Sequence, residues 1–471
     1  MARMDELTRR GFLRASAVSL AAGAIAACGA TPQATSAPAA TSAPTPEAAG
    51  PTVAPAGDSG EAVTLKYWVC WPGEYAEHER KNILDLFEQE MGGKIKIDHL
   101  AVPSDIGQKL LTAVAAGEPP DVATCFGALI PLAAKGAFMV LDDYLAGPTI
   151  VKLDDLYPAA LAATEWKGKR YGLPYNCSCE VILINKTMVE EAGIEVAGSD
   201  NPDEWGPETW DDFTQMSKEL VKFDDAGNII VAAYTQWYVR HNTEWFCCNG
   251  ATPYDAASNT LKLTTPECAE GWQMVANYAW EVYGDVSEAD AFLEGQGSAQ
   301  DSPFCTGQQV MLYAGSATPP TILGWCPDVK MWPWAFPHGP NGTKKVAMGG
   351  GDYTGILTGS KHPDESFKFI EWMVMKGNLL WKYDPPCCMS QAGQVKPEWN
   401  QAFGEEWGQK IALWWEQSLQ KACFVENFPS YSYMNDELMR VFELVLHKQT
   451  SVEDGLKEVQ ANVEADMANY A

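Results

Sequence analysis

Eighteen tryptophans stand in this chain, and many fall in segments that read as loops rather than as helical stripes: Trp68 and Trp71, Trp237 and Trp245, then Trp325, Trp332 and Trp334. Polar groups accompany them. Trp71 and Glu74 follow the first strand, Phe126 follows the strand that starts at Asp121, Ser316 follows the strand at Val310, and Gly349-Gly350-Gly351 leads into Asp352 and Tyr353. Flat rings lie well against the C–H faces of a pyranose, while carboxylates and amides take its hydroxyls. Asp352 is able to accept two hydroxyl bonds, and the glycines before it let a ligand approach the backbone. The same residues fit a plainer reading, in which the rings fill core and the glycine run is a turn with a solvated aspartate. As a set they favour a sugar over an amino acid or a metal ion.

Other chemistries find less support. The sequence has no Gly-x-Ser-x-Gly, no His-Glu-x-x-His and no phosphate-binding Walker loop, and its triple glycine lacks the dinucleotide spacing. A pair of glycosidase carboxylates stays open, because their separation is a three-dimensional quantity. No Cys-x-x-Cys or metal-spaced Cys/His cluster occurs, so neither a metal nor a cofactor is expected. With 33 basic against 62 acidic residues, the net charge of −29 repels nucleic acid and disfavours a polyanionic ligand.

The elements that must position these residues are α/β in pattern. Val63 to Val69 alternates with period two and is rich in strand formers. Ile83, Leu84, Phe87 and Met91 follow at helical spacing, and Lys94 to Ile97 is a second short strand. A second amphipathic helix carries Ile106, Leu110 and Val114 and closes at Gly117, and Asp121 to Thr124 is a buried strand. Strand and helix in alternation imply a mainly parallel sheet. Farther on, Thr209 with Asp212 and Ser451 with Asp454 mark capping boxes, opening helices that bury Phe213, Met216 and Leu220, and Leu456, Val459 and Val463. A length of 471 residues exceeds what one core usually fills.

The first 27 residues read as an address. Thr8 to Arg14, with Arg9 and Arg10, resembles a twin-arginine export signal, and the apolar run from Ala15 to Ala27 is short for a membrane span. Ile25-Ala26-Ala27-Cys28 looks like a lipobox, which makes Cys28 the expected lipidation site. Residues 28–60 are then a lipidated tether of Ala, Pro, Thr, Ser and Gly, with too little apolar surface to fold. Twelve further cysteines permit disulfides in an oxidising compartment, at least two being expected, and Cys247-Cys248 and Cys387-Cys388 stand as adjacent pairs.

Several segments, in order, resemble the family 1 extracellular solute-binding proteins of ABC importers, the class that includes maltose-binding protein. Ala115 to Val122 is similar to that family's Ala-Gly-x-x-Pro-Asp-Val element, and Gly168 to Tyr175 to its Gly-Lys-x-Tyr-Gly-Leu-Pro segment. Asn185-Lys186, Glu191-Ala192-Gly193, Pro207 to Phe213, and Phe304 to Met311 continue the series. The resemblance implies a two-lobe, type II periplasmic-binding-protein-like α/β fold with a hinge and a ligand cleft between the lobes. It places lobe 1 at 61–172 plus 304–357 and lobe 2 at 173–303 plus 358–471, with crossings near 172–176, 300–306 and 355–361. It adds Tyr175 and Asn176 at the first crossing, Trp237 and Tyr238 as second-lobe stacking residues, and Asn427 and Tyr431 in a late loop at the cleft. It implies a monomeric, non-enzymatic carrier, held to the outer face of the cytoplasmic membrane by its lipid, that delivers a carbohydrate to permease subunits. A polyamine or similar solute, or an exported glycan-active enzyme, are the alternatives.

Overall fold

The computed structural model describes residues 62–71, 73–127, 129–197, 199–235, 243–284, 286–294, 297, 299–394, 396–419 and 428–470. The chain enters as strand β1 (Val63–Val69), followed by β2 (Ile95–Ala101), β3 (Val122–Phe126) and the short β4 (Leu173–Pro174). It then crosses to β5 (Ser178–Asn185), β6 (Lys222–Phe223), β7 (Ile229–Tyr234), β8 (Gln309–Ala314), β9 (Met331–Trp334) and β10 (Met348–Gly350), and returns as β11 (Asp352–Ile356). Two main sheets result. The first has five strands in the order β2-β1-β3-β11-β4, and the second has six, β9-β5-β8-β7-β6 with β10 also paired to β5.

Direction follows from the route. β1, β2 and β3 are joined by helical crossovers and pair parallel. β11 arrives from the other sheet and therefore runs antiparallel to β3 and β4. In the second sheet β5 receives β8, β9 and β10 antiparallel, and among the described residues only β8 with β7 is parallel. The expectation of a mainly parallel sheet thus holds for the first three strands and not for the second sheet.

Local signals explain most elements. Along β1, Leu65, Tyr67 and Val69 turn inward while Thr64 and Lys66 stay exposed, as period two requires. The helical stretch after it starts with α1 (Gly73–Glu79), and a later turn buries Ile83, Leu84 and Phe87. Helix α2 (Ile106–Ala115) closes at Gly117, whose φ of +74° suits glycine. Helix α3 (Trp210–Leu220) begins with the reciprocal Thr209/Asp212 box. The second core gathers Phe213 from α3, Tyr234 from β7, Trp245 from α4 (Thr243–Cys248) and Tyr278 from α5 (Pro266–Tyr283), with Phe213 and Tyr278 stacked at 5.1 Å. Helix α6 (Thr318–Trp325) follows β8.

Two boundary expectations are corrected. The resemblance places 304–357 in the first lobe, yet β8, β9 and β10 pair in the second sheet, because β5 accepts them as neighbours. Helix α7 (Pro363–Trp372) falls in the second lobe by the resemblance, yet its Phe369 packs on Tyr67 and Phe87 beside the first sheet, each at 5.0 Å. Helices α8 (Tyr431–Leu446) and α9 (Val452–Met467) do join the second body, with Phe442 against Trp272 of α5. Ser451 caps α9 by accepting from the Asp454 amide.

Cys305 and Cys326 form a disulfide, and Cys247 is also disulfide-bonded. Cys248, Cys387 and Cys388 are free and buried, so neither adjacent pair is bridged within itself. Among the described residues no helix is long and apolar enough to cross a membrane.

Candidate ligand site at the seam between the sheets

Two strand-to-strand crossings lie side by side. One leads from β4 to β5 through Tyr175, Asn176 and Cys177; the other passes from β10 to β11 through Gly351 alone. The Tyr175 amide donates to the Asp352 carbonyl at 2.8 Å. The Asn176 side chain completes the fastening, its Nδ2 donating to Asp352 Oδ2 at 2.8 Å while its Oδ1 accepts from the Asp352 amide at 3.1 Å. The amide side chain thus acts as an extra peptide rung between the crossings. Burial, and secondarily the charges of Asp384, Glu79 and Glu180, push the Asp352 carboxyl up to about 7, against the lowering effect of Asn176.

A second polar layer adjoins it. Asp384 accepts from Ser316 Oγ at 2.7 Å and from Trp381 Nε1 at 3.0 Å, and burial pushes its carboxyl up to about 6. Ser316 Oγ in turn accepts from the Cys179 amide at 3.3 Å. On β5, Ser178 Oγ donates to Glu180 Oε1 at 2.6 Å, while Glu180 Oε2 is buried without a hydrogen-bond partner. Gly315 lies directly over this pair, since a Cβ there would stand 2.8 Å from Ser178 Oγ and 2.9 Å from Glu180 Oε1. Gly350 faces both sides of the seam, its Cβ position being 3.7 Å from the Phe126 ring and 3.9 Å from Glu180 Oε1.

Walls rise from both sheets. From the first come α1, with Glu74 and Tyr75, and the end of β3, where Phe126 is 50% exposed. From the second comes α6: Tyr75 OH and Thr321 Oγ1 are hydrogen-bonded, and Glu74 Oε2 stands 3.6 Å from where a Cβ on Gly324 would be. Behind α1 the rings of Trp71, Tyr175 and Trp381 pack together, with Trp71 stacked on Tyr175 at 6.0 Å and 5.0 Å from Trp381, while Tyr75 meets Tyr383 at 4.2 Å. Tyr431 comes within 3.5 Å of the Cβ position of Gly127, next to Phe126.

Of the residues expected from sequence, Trp71, Glu74, Phe126, Tyr175, Asn176, Ser316, Asp352 and Tyr431 therefore come together around the seam. Their places differ. Glu74 and Phe126 are exposed, whereas Trp71, Tyr175, Asn176 and Ser316 are buried behind them. Two expectations are corrected. Tyr353 points the opposite way from Asp352, as alternation along a strand dictates, and packs in the core with Ala123, Cys125 and Phe138. Trp245 is buried on α4 against Phe213 and Phe336. Trp332 and Trp334, placed in loops by sequence, lie in the buried strand β9. Trp237, Tyr238 and Asn427, like Cys28, lie outside the described residues. Sequence reasoning missed Ser178, Glu180, Tyr75, Thr321, Trp381, Tyr383 and Asp384; a carboxylate opening the apolar run Val181 to Ile184 was a usable signal for Glu180.

The arrangement offers acceptor oxygens beside exposed aromatic and glycine surface, a combination suited to holding a ligand rather than to transforming it. Among the described residues no group of three or more His, Cys, Asp and Glu side chains is placed to hold a metal ion.

Comparison with known proteins agrees with this architecture. The mannotriose-bound protein CpMnBP1 superposes with a TM-score of 0.71 at 23% identity, over 85% of this chain and 100% of that one. The sugar-binding protein MalE from Xanthomonas citri gives 0.65 at 19% identity, over 86% and 98%. By sequence, the arabinooligosaccharide-binding protein of Halalkalibacterium halodurans is 24% identical over 433 residues, 87% of this chain and 91% of its own. The multiple sugar-binding protein of Streptococcus mutans is 24% identical over 314 residues, 64% and 70% of the two chains. Residues 82–380 match the model of the bacterial extracellular solute-binding proteins. With that match covering more than half its length and a two-sheet fold joined by paired crossings, the chain belongs to the bacterial extracellular solute-binding protein family.

Proposed function

We propose that the protein captures a carbohydrate in the seam between its two sheets and hands it to an ABC import permease. One observation carries the reading: the crossings are fastened side by side by Asn176 and Asp352, next to a floor of carboxylate oxygens and glycines flanked by the exposed ring of Phe126. Such a seam flexes about its crossings, so a solute binds by selecting the closed arrangement of two bodies. Glu74, Phe126, Glu180 and Tyr431 touch the solute; Trp71, Tyr175, Asn176, Ser316 and Asp352 hold those groups in place. Trp237, Tyr238 and Asn427, outside the described residues, are assigned to the same site by the family resemblance. The arabinooligosaccharide-binding and multiple sugar-binding relatives support a sugar as the solute, and relatives of this kind are binding proteins rather than enzymes.

Thermal shift across mono- and oligosaccharides, amino acids and diamines tests the reading, because a ligand of the native state alone raises the melting temperature by mass action. Saccharides are expected to raise it and to lower the radius of gyration in small-angle scattering. Shifts with amino acids or diamines and with no saccharide overturn the carbohydrate reading.

As a member of an extracellular family the protein is exported. We place its anchor at Cys28, as a lipid, with residues 29–60 as the tether of a monomer. Cys28→Ser is expected to move the protein from the membrane fraction to the soluble fraction or to leave an unprocessed precursor. Unchanged fractionation refutes the lipid anchor.

A further inference from the structure

Glu180 is 6% exposed, and its Oε2 has neither a protein hydrogen bond nor a cation. Nor does any salt bridge reach Glu74, Asp352 or Asp384 among the described residues. The buried Lys396 lowers the Asp384 carboxyl from a distance without pairing with it directly, its Nζ being hydrogen-bonded to the Leu379 carbonyl at 2.9 Å. The seam therefore gathers carboxyl groups around an unsatisfied acceptor, Glu180 Oε2. A ligand hydroxyl supplies the missing hydrogen bond and leaves the charge uncompensated. An ammonium supplies both, and a charge-assisted bond is about twice as strong as a neutral one. An anionic group meets only repulsion.

A second feature points the same way. The Gly350 position that looks onto Glu180 Oε1 also touches the half-exposed ring of Phe126. A carboxylate and an aromatic side chain about one spot make a combination suited to organic cations, which a ring attracts when they lie over its face. Gly350 leaves that spot free of a side chain, while Gly315 packs directly on the carboxylate, a Cβ there standing 2.9 and 3.1 Å from the Glu180 oxygens.

We propose that the solute carries a protonated amine, an amino sugar rather than a neutral or anionic one, and that Glu180 takes the ammonium with Phe126 along its flank. This deepens the carbohydrate reading above and rests on it. The buried carboxyls supply an independent signature. An ammonium beside Asp352 and Asp384, which burial holds up to about 7 and about 6, favours their charged forms and drives protons off on binding. A neutral sugar, which only shields them further from water, does not.

The test is calorimetric titration in mildly acidic buffer with glucosamine, galactosamine and mannosamine, their neutral parents, their N-acetyl forms, the parents' 6-phosphates, and putrescine. At least one amine is expected to bind about tenfold or more tightly than its parent and its N-acetyl form, a difference of about 1.4 kcal/mol, with phosphates weakest. Titration in two buffers of different ionisation enthalpy should show net proton release for the amine. Glu180→Gln should weaken the amine at least about tenfold more than the parent, without lowering the unliganded melting temperature, since it removes an uncompensated charge. Should that variant fail to fold, Phe126→Ala, at an exposed position, is expected to show the same bias towards the amine. Parents or N-acetyl forms binding as tightly as the amines, or Glu180→Gln weakening both alike, overturn the proposal and leave the carbohydrate reading standing. Binding of putrescine with no sugar bound overturns both.

Discussion

Raising the pH from about 4 to about 7 is expected to destabilise the unliganded protein, by an amount of order 4 kcal/mol from Asp352 alone. Its carboxyl is pushed up to about 7 from an ordinary value of 3.8, and each unit is worth about 1.4 kcal/mol. Between those two values the folded protein keeps a proton that the unfolded chain has lost, so the stabilisation is complete below the lower value and is lost as pH rises through the upper. Asp384, pushed up to about 6, acts in the same direction over a narrower range, and because the two carboxyls are coupled their effects do not simply add. Lys396, pushed down to about 8 by burial, has the opposite sign and acts only at higher pH. Asp352→Asn removes the titration while keeping an oxygen to accept from Asn176 Nδ2. Melting curves should show the wild type falling more steeply across this window than the variant, in which Asp384 and Glu416, pushed up to about 6 and about 7, still titrate, with the variant the more stable of the two near neutrality. A wild-type curve that falls no more steeply than the variant's over the same interval contradicts the buried-carboxylate account. The same imbalance underlies ligand choice at the seam, where either a proton or an ammonium relieves it.

Much of the scaffold was legible because its signals are local. The alternation of Leu65, Tyr67 and Val69, the Thr209/Asp212 box and the stop at Gly117 each depend on residues within one turn or one strand, and each appears where the sequence put it. The exported binding-protein fold was legible from spaced motifs, and the family match agrees. Sheet membership was not legible. Whether Gln309–Ala314 pairs with β5 or with β3 depends on partners more than a hundred residues away, and its own pattern is the same in either case. β5 itself is buried on both faces throughout, which erases alternation and hides that Glu180 points to the seam. Aromatic residues misled for a related reason. Trp245 and Trp334 have the composition of a sugar platform, but large rings fill cores wherever space allows, and only burial tells the two uses apart. Asp352 and Tyr353 read as one patch in the sequence, whereas neighbours on a strand face opposite ways.

Two adjacent glycines should give opposite results when replaced by alanine. A Cβ on Gly351 would stand 2.5 Å from the Asn176 carbonyl oxygen and 3.6 Å from Cys177 Cα. Those are backbone atoms of the neighbouring crossing, so no side-chain rotation relieves the overlap and the two crossings must part. That disturbs the Tyr175 amide bond to Asp352 and both Asn176 bonds. Overpacking of this kind costs about 1–3 kcal/mol, and more where backbone must move, so Gly351→Ala should lower the unliganded melting temperature by several degrees. On Gly350 the same methyl meets nothing nearer than 3.7 Å, and what it meets is the Phe126 ring and Glu180. Gly350→Ala should therefore melt as the wild type does, yet bind ligand at least about tenfold more weakly, because the methyl takes space where the solute must approach. Equal melting temperatures for both variants dismiss the crossings as a stability element. Unchanged affinity in Gly350→Ala moves the ligand away from the Phe126 and Glu180 side of the seam.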